Sequence, residues 1–455
     1  MISSSSRLLV PLFGLILAWC FAARADAQTQ AILAQVADQW PFPARVISVD
    51  LDQSAVAWEI RPPIDGFTPA GPVAATSDGR YTVWSAWRWD GGKVESALFA
   101  RETASGAVWA VPLPAAPEQL LAHPRRIEVY ALTDSTVITI DESGLREAGV
   151  CASQQDASLA MDGSQLFILC AAGRVIVLNT ATMSPVREVV LQDPVQTIQV
   201  SADGRQFAAA YLRTDPLQEH GGVGLYDAVT GDRQAFSPAP PIPPSPPIQT
   251  GRLGPSSAFV RAGADRQRLY VGFRYTIQIT GPDYDLGETQ VFDFDSLTLL
   301  GKIEHDTVPV LLSAMAFTPD GRHLVGADAR PRWCSVLFLN LESLAVEQFY
   351  QILTPQCRPG TAVASPPLAP TNLSATVANR RVTLDWALPA HSPAATSYVV
   401  EVRLTAGGPL VGTFTSVAPS LGGDGVPAGT YYVRIRALNA LGSSATSAEH
   451  VIAVH

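Results

Sequence analysis

Short runs in which apolar and polar residues alternate, bounded by Gly, Pro, Asn and Asp, recur through most of the chain, and no long amphipathic stretch of helical period interrupts them. The pattern predicts an all-β protein. Two phrases repeat. The first is an apolar run, an Asp-Gly turn and a second apolar run: residues 73–81 around Asp78-Gly79, 198–205 around Asp203-Gly204, and 315–325 around Asp320-Gly321. Asp162-Gly163 and a degenerate Asp265-Arg266 continue the series. Gly accepts the positive backbone angle of a tight hairpin and Asp bonds its own backbone, so each copy reads as an A–B hairpin. The second phrase is a run ending in Asn or Asp before a short polar turn, at Asn179, Asp227, Asp293 and Asn340, with weaker copies at 46–58, 97–109 and 137–145. These read as C–D hairpins.

Alternating the two phrases gives six A–B–C–D units of roughly forty to sixty residues, preceded by a lone C–D hairpin near residues 46–61. Four strands per unit, repeated radially, bury each unit's face against the next and shorten exposed sheet edges. The expected architecture for residues 31–352 is therefore a β-propeller. Residues 31–45 are positioned to add an outer or closing strand to the lone hairpin, which favours seven blades over the alternative of six complete ones. The wording of the repeats, a strand into Asn/Asp-Thr-Ala-Thr and then a strand into Ser-Pro/Ala-Asp-Gly-Arg, resembles the YVTN-type surface-layer and lactonase-like propellers of bacterial exported proteins. The resemblance is clearest over 174–208 and 315–344; no blade ends in the Trp-Asp pair of WD-type repeats.

A proline-dense insertion, residues 237–247, cannot donate ladder hydrogen bonds and reads as an extended surface spacer. Residues 353–370 are rich in Pro, Ala and Ser and read as a linker. Beyond it, period-two alternation places Val382, Leu384 and Trp386 on one strand face and Tyr431, Val433 and Ile435 on another, the pattern of two sheets sharing a core. With Tyr398-Val-Val400 and the run from Gly429 to Gly442, residues 366–455 resemble a fibronectin type III domain, assigned to 371–455. The resemblance implies a corner contact by Tyr431 and a last turn shaped by Asn439 and Gly442. No Arg-Gly-Asp tripeptide is present to suggest integrin-type adhesion.

The first residues bear on compartment. Arg7, an apolar stretch from Leu8 to Ala23, and small residues at Ala23, Ala25 and Ala27 read as a cleavable signal peptide over 1–27. The stretch is short for a membrane span and contains Pro11; no later segment is long and apolar enough for one. A secreted or periplasmic protein is expected. Of the five cysteines, Cys151, Cys170, Cys334 and Cys357 lie beyond the leader, and two disulfides are expected in an oxidising compartment. Proximity favours Cys151–Cys170 and Cys334–Cys357, with the other pairings open. The formal charge of −10 and scattered Lys and Arg offer no basic face, which argues against nucleic acid.

Three clusters are candidates for chemistry. Asp283, Asp285 and Glu288 fall in a Gly/Pro-bearing stretch where carboxylates can wrap a divalent ion such as calcium, although the spacing is not that of an EF-hand and a solvated acidic loop is the simpler reading. Trp84, Trp87 and Trp89, with Tyr81 nearby, offer aromatic planes to a ligand such as a sugar ring, or simply pack a blade. The seven histidines stand singly, without HxH or HExxH, and no GxSxG, P-loop or GxGxxG after a strand occurs, so no cofactor is expected. The expected function is an exported binding or scaffold protein that uses the propeller face and the fibronectin-like module to engage a protein or polysaccharide of the cell envelope or extracellular space. The alternative is a metal-dependent lactonase-like or other hydrolase, which calls for acidic residues from three or more blades at the ring axis.

Overall fold

The computed structural model describes residues 28–35, 45–53, 55–61, 66–212, 221–241, 252–253, 257–278, 284–305, 308–328, 334–352 and 360–455. The leader expected over 1–27, Asp283, Cys357 and most of the proline-dense insertion lie outside these residues, as do the side chains of Cys334 and Asp285.

The repeated turns form as their chemistry dictates. In the A–B hairpins the Asp carboxylate closes the turn on itself: Asp78, Asp203 and Asp320 each accept the hydroxyl of the Ser or Thr two positions earlier, at 2.7, 2.7 and 2.6 Å, and the backbone N–H two positions later. In the C–D hairpins Asn179, Asp227 and Asn340 each accept two backbone N–H groups ahead of them, and Asp293 accepts that of Ser296. Four residues after each stands a residue at positive φ: Met183, Gly231, Leu297 or Leu344. The outgoing strands then carry a register shift at the same place in blade after blade.

Among the described residues these hairpins build seven antiparallel sheets of one plan, six with four strands and that of blade 5 with a fifth, Arg252–Leu253, paired beside Ser257–Ala262 on the same neighbour. Six run continuously in the chain, with inner strands Thr68–Ala75, Gln119–Ala122, Gln154–Leu159, Thr197–Val200, Ser257–Ala262 and Leu312–Phe317, in blades 1 to 6. Blade 7 is composite. Its inner strand is Gly360–Ala364, followed outward by Gln30–Gln35, Arg45–Asp50 and Ala55–Ile60. Gln30 pairs with Ala364 and also with Asp50, so strands from opposite ends of the chain close the ring. The linker expected over 353–370 is therefore corrected in part. Gly360–Ala364 is a ring strand, because Gly and Ala are small enough to pack where Gly360 meets the backbone of Gly71.

Strand alternation divides the core among the blade interfaces. Leu166 and Ile168 face blade 2, whereas Phe167 and Leu169 on the same strand face blade 4. An apolar cluster fills each of the seven blade–blade interfaces. An eighth is the core of a C-terminal two-sheet sandwich. One of its sheets holds Thr371–Ala378, Arg381–Ala387 and Ser420–Gly423; the other holds Leu410–Ser416, Ser397–Arg403, Gly429–Asn439, the short Gly442–Ser443 and His450–Val454. Trp386 is buried edge-on to Tyr398 at 5.3 Å, and the Tyr431 hydroxyl donates to the Pro427 carbonyl at 2.9 Å.

Candidate functional site

The inner strands surround a central channel with a cavity volume of about 490 Å³. Its walls include Pro72 of blade 1, Glu118 and Gln119 beside blade 2, Arg261 of blade 5, Met315 of blade 6 and Thr361 of blade 7. Inner strands have one free edge, and buried edge groups need partners. Side chains supply them from blade to blade. The Gln119 amide pairs with both the N–H and C=O of Ala157, Asp156 accepts from Ile198 N, Gln196 accepts from Ala258 N, and Thr289 accepts from Leu312 N.

The strongest polar feature crosses three blades. The Arg261 guanidinium donates to both oxygens of Asp156, at 3.0 and 3.1 Å, and to the Thr197 hydroxyl, which itself donates to Asp156. Asp156 is buried, so this bidentate pair neutralises a carboxylate that the ring has withdrawn from water. Arg266, at the adjacent turn, donates to the carbonyls of Leu159, Val200 and Ser201; burial pulls its pKa down to about 10. Both arginines bind blade 5 to blades 3 and 4.

The sandwich stands over the A–B end of this axis. Ala394 N donates to Ser77 O, Ala440 N to Asp78 O, and the Asn439 amide to Ser365 O. Leu441, at the turn Asn439–Gly442, is buried in the apolar cluster shared by blades 7 and 1, against Gly79, where a Cβ would lie 2.7 Å from the Leu441 side chain. The loop 390–392 faces turn residues of blades 2, 3, 5 and 6 across a cavity of about 300 Å³. Only a segment on the axis can face four such blades at once.

A second concavity, about 440 Å³, opens between blades 1 and 2. Tyr81 and Trp109 meet edge to face on its blade 1 wall, with ring centroids 5.3 Å apart; Ile140 and Leu145 line the blade 2 wall. Ion pairs Arg80–Glu142 (2.8 Å) and Arg146–Asp141 (2.9 Å) border it. Beneath, Glu128 is buried between Arg126 and Arg146.

The residues singled out from sequence fall apart in space. Tyr81–Asp90 is a regular strand, so Trp87 and Trp89 share one face and Trp84 the other. Trp84 is core, stacked on Phe99 at 5.7 Å; Trp87 is half-buried and Trp89 exposed. The acidic stretch is a strand from Tyr284 onward rather than a loop, with Asp285 opposite Thr276 and Glu288 opposite Phe273. Glu288 accepts a hydrogen bond from the Gln290 amide at 2.7 Å. Among the described residues no three His, Cys, Asp or Glu side chains gather as a metal set, and Glu118 is the carboxylate among the residues lining the channel. Cys151–Cys170 is a disulfide, with Cα atoms 6.3 Å apart; the expected partner pair Cys334–Cys357 lies outside the described side chains. Sequence reading missed Arg261, Asp156 and Trp109. The one signal for the first two was a charged residue on each of two otherwise neutral inner strands.

No family model and no curated protein matches the chain. Solved structures similar to it include hydrazine synthase of Kuenenia stuttgartiensis, at 15% identity and TM-score 0.42, covering 60% of this chain and 78% of that one. Another is the Cps50 (Swd1) β-propeller domain of Myceliophteria thermophila, at 12% identity and TM-score 0.43, covering 63% and 87% respectively. At these values the propeller assignment rests on the sheet order of this chain.

Proposed function

We propose that this protein is an exported binding protein whose propeller presents a recognition surface while the sandwich is fixed as a cap over one end of the ring. The observation that carries the reading is the state of the channel. Its Arg–carboxylate pair and its glutamine amide are spent on joining blades, and its A–B end is covered, which leaves the opposite face and the grooves between blades to meet a partner. The leader sequence and the Cys151–Cys170 bond support an oxidising compartment. The wording of the repeats supports kinship with YVTN-type propellers, and the packing of a three-stranded sheet on a larger one over a Trp386–Tyr398 core supports a fibronectin type III sandwich.

The test is direct binding: purified protein lacking residues 1–27, titrated against neutral and acidic glycans and against purified envelope proteins. Saturable binding at micromolar concentration is expected for at least one. No binding to either class, together with turnover of lactone or ester substrates, overturns the proposal.

A further inference from the structure

We infer that the groove between blades 1 and 2 is a binding site for a neutral sugar ring of a glycan chain. This rests on the binding reading above and assigns that binding a place and a ligand chemistry. Three observations combine. First, the groove has the volume of a small-molecule site, about 440 Å³. Second, it displays apolar surface that the fold had the means to bury: Trp109 is 41% and Leu145 45% exposed, both at its walls. The cross-strand partner of Trp109 in the groove wall is the small Ala100, which does not cover the indole.

Third, the charges of the groove cancel. The carboxylates that line it, Glu142, Glu128 and Asp141, are each held in an ion pair by an arginine at its border, Arg80, Arg126 or Arg146. A phosphate or carboxylate ligand finds no surplus cation there, and a cationic one finds no free carboxylate. A wholly apolar ligand would strip water from the rim pairs and return nothing to them. A sugar ring satisfies both parts: its C–H face packs on the exposed Trp109 indole, to which the Tyr81 ring stands edge to face, and its hydroxyls at the ring edge give and take hydrogen bonds with Glu142, Asp141 and Arg80. The Tyr81 hydroxyl already accepts from Arg80 at 3.1 Å, so the ring is held in place before a ligand arrives.

The experiment titrates the whole mature protein with cellohexaose, maltohexaose and chitohexaose by calorimetry and saturation-transfer NMR. At least one hexasaccharide is expected to bind, with ring C–H protons receiving the strongest transfer. Trp109→Ala should weaken it by about tenfold, the loss of one stacking partner, whereas Trp109→Phe retains most of it and Trp89→Ala, on exposed indole outside the groove, changes nothing. Circular dichroism melts of each variant establish that the fold persists. If none of the three sugars binds, or if Trp109→Ala leaves the affinity intact, the groove assignment falls. Sugar binding lost on Met315→Trp, which fills the channel, but not on Trp109→Ala would move the site to the channel and leave the binding reading standing. Binding of an envelope protein alone, with no sugar bound, would overturn this inference and not that reading.

Discussion

Two parallel hydrogen bonds between the Arg261 guanidinium and the Asp156 carboxylate hold together blades that are 105 residues apart in the chain. Removing the cation leaves a buried carboxylate with only the Thr197 hydroxyl and the Ile198 N–H. Arg261→Met should therefore cost about 3 kcal/mol in urea unfolding, and Asp156→Leu added to it should restore part of the loss, because the uncompensated charge is gone. His123 gives a pH signature. Its Nδ1 accepts from Arg125 N and Arg126 N, and burial, aided by the Arg126 charge, lowers its pKa from 6.5 to about 4. Between those values the unfolded chain takes up a proton that the folded one refuses, so this contribution is present above pH 6.5 and lost as the pH falls toward 4. Urea midpoints measured from pH 7 to 4.5 should decline over that window, and His123→Asn should flatten the decline.

Among elements, hairpins were legible in the sequence because a turn is written in a few adjacent residues. Asp78, Asp203 and Asp320 bond within their own turns, and nothing distant is needed to place them. The inner strand of blade 7 was not legible for the converse reason: Gly-Thr-Ala-Val-Ala carries no turn signal, and its partner Gln30–Gln35 lies at the other end of the chain. The groove was half legible. Tyr81 stood beside the tryptophans of its own strand, but its real neighbour Trp109 lies two strands away and is brought to it by register alone. Strand parity likewise decided that Trp84 belongs to the core and not with Trp87 and Trp89. The disulfide staples the segment leading into the inner strand of blade 3 to the end of the next strand, Gln165–Cys170, across a separation of 19 residues. Its replacement by paired serines should cost about 3 kcal/mol through the greater freedom of the unfolded loop, measured as a fall in urea midpoint with the slope fitted separately for each protein.

At the scale of the whole molecule, the turn that resemblance marked as the last of the sandwich is also where the two domains grip. Leu441 is buried among Val73, Trp84 and Phe99, and Gly79 leaves it room. Propeller and sandwich should consequently melt in one calorimetric transition. Leu441→Asp places a charge in that apolar site and should split the transition in two, whereas unchanged cooperativity would mean that the linker and the hydrogen bonds of Ala394, Ala440 and Asn439 couple the domains without it. This contact, like the channel and its arginine straps, could not be read from the sequence, since convergence of seven repeats on an axis leaves no local pattern. The composite seventh blade sets an order in time. A chain emerging from its amino end delivers three strands of that blade first and must wait through six further blades before residues 360–364 arrive. Until then the amino-terminal sheet has an open edge, and every earlier blade is stacked in an unclosed arc. Closure of the ring is thus the last event in building the propeller, and a ribosome that stalls anywhere short of residue 364 leaves an open ring ready to pair with another chain.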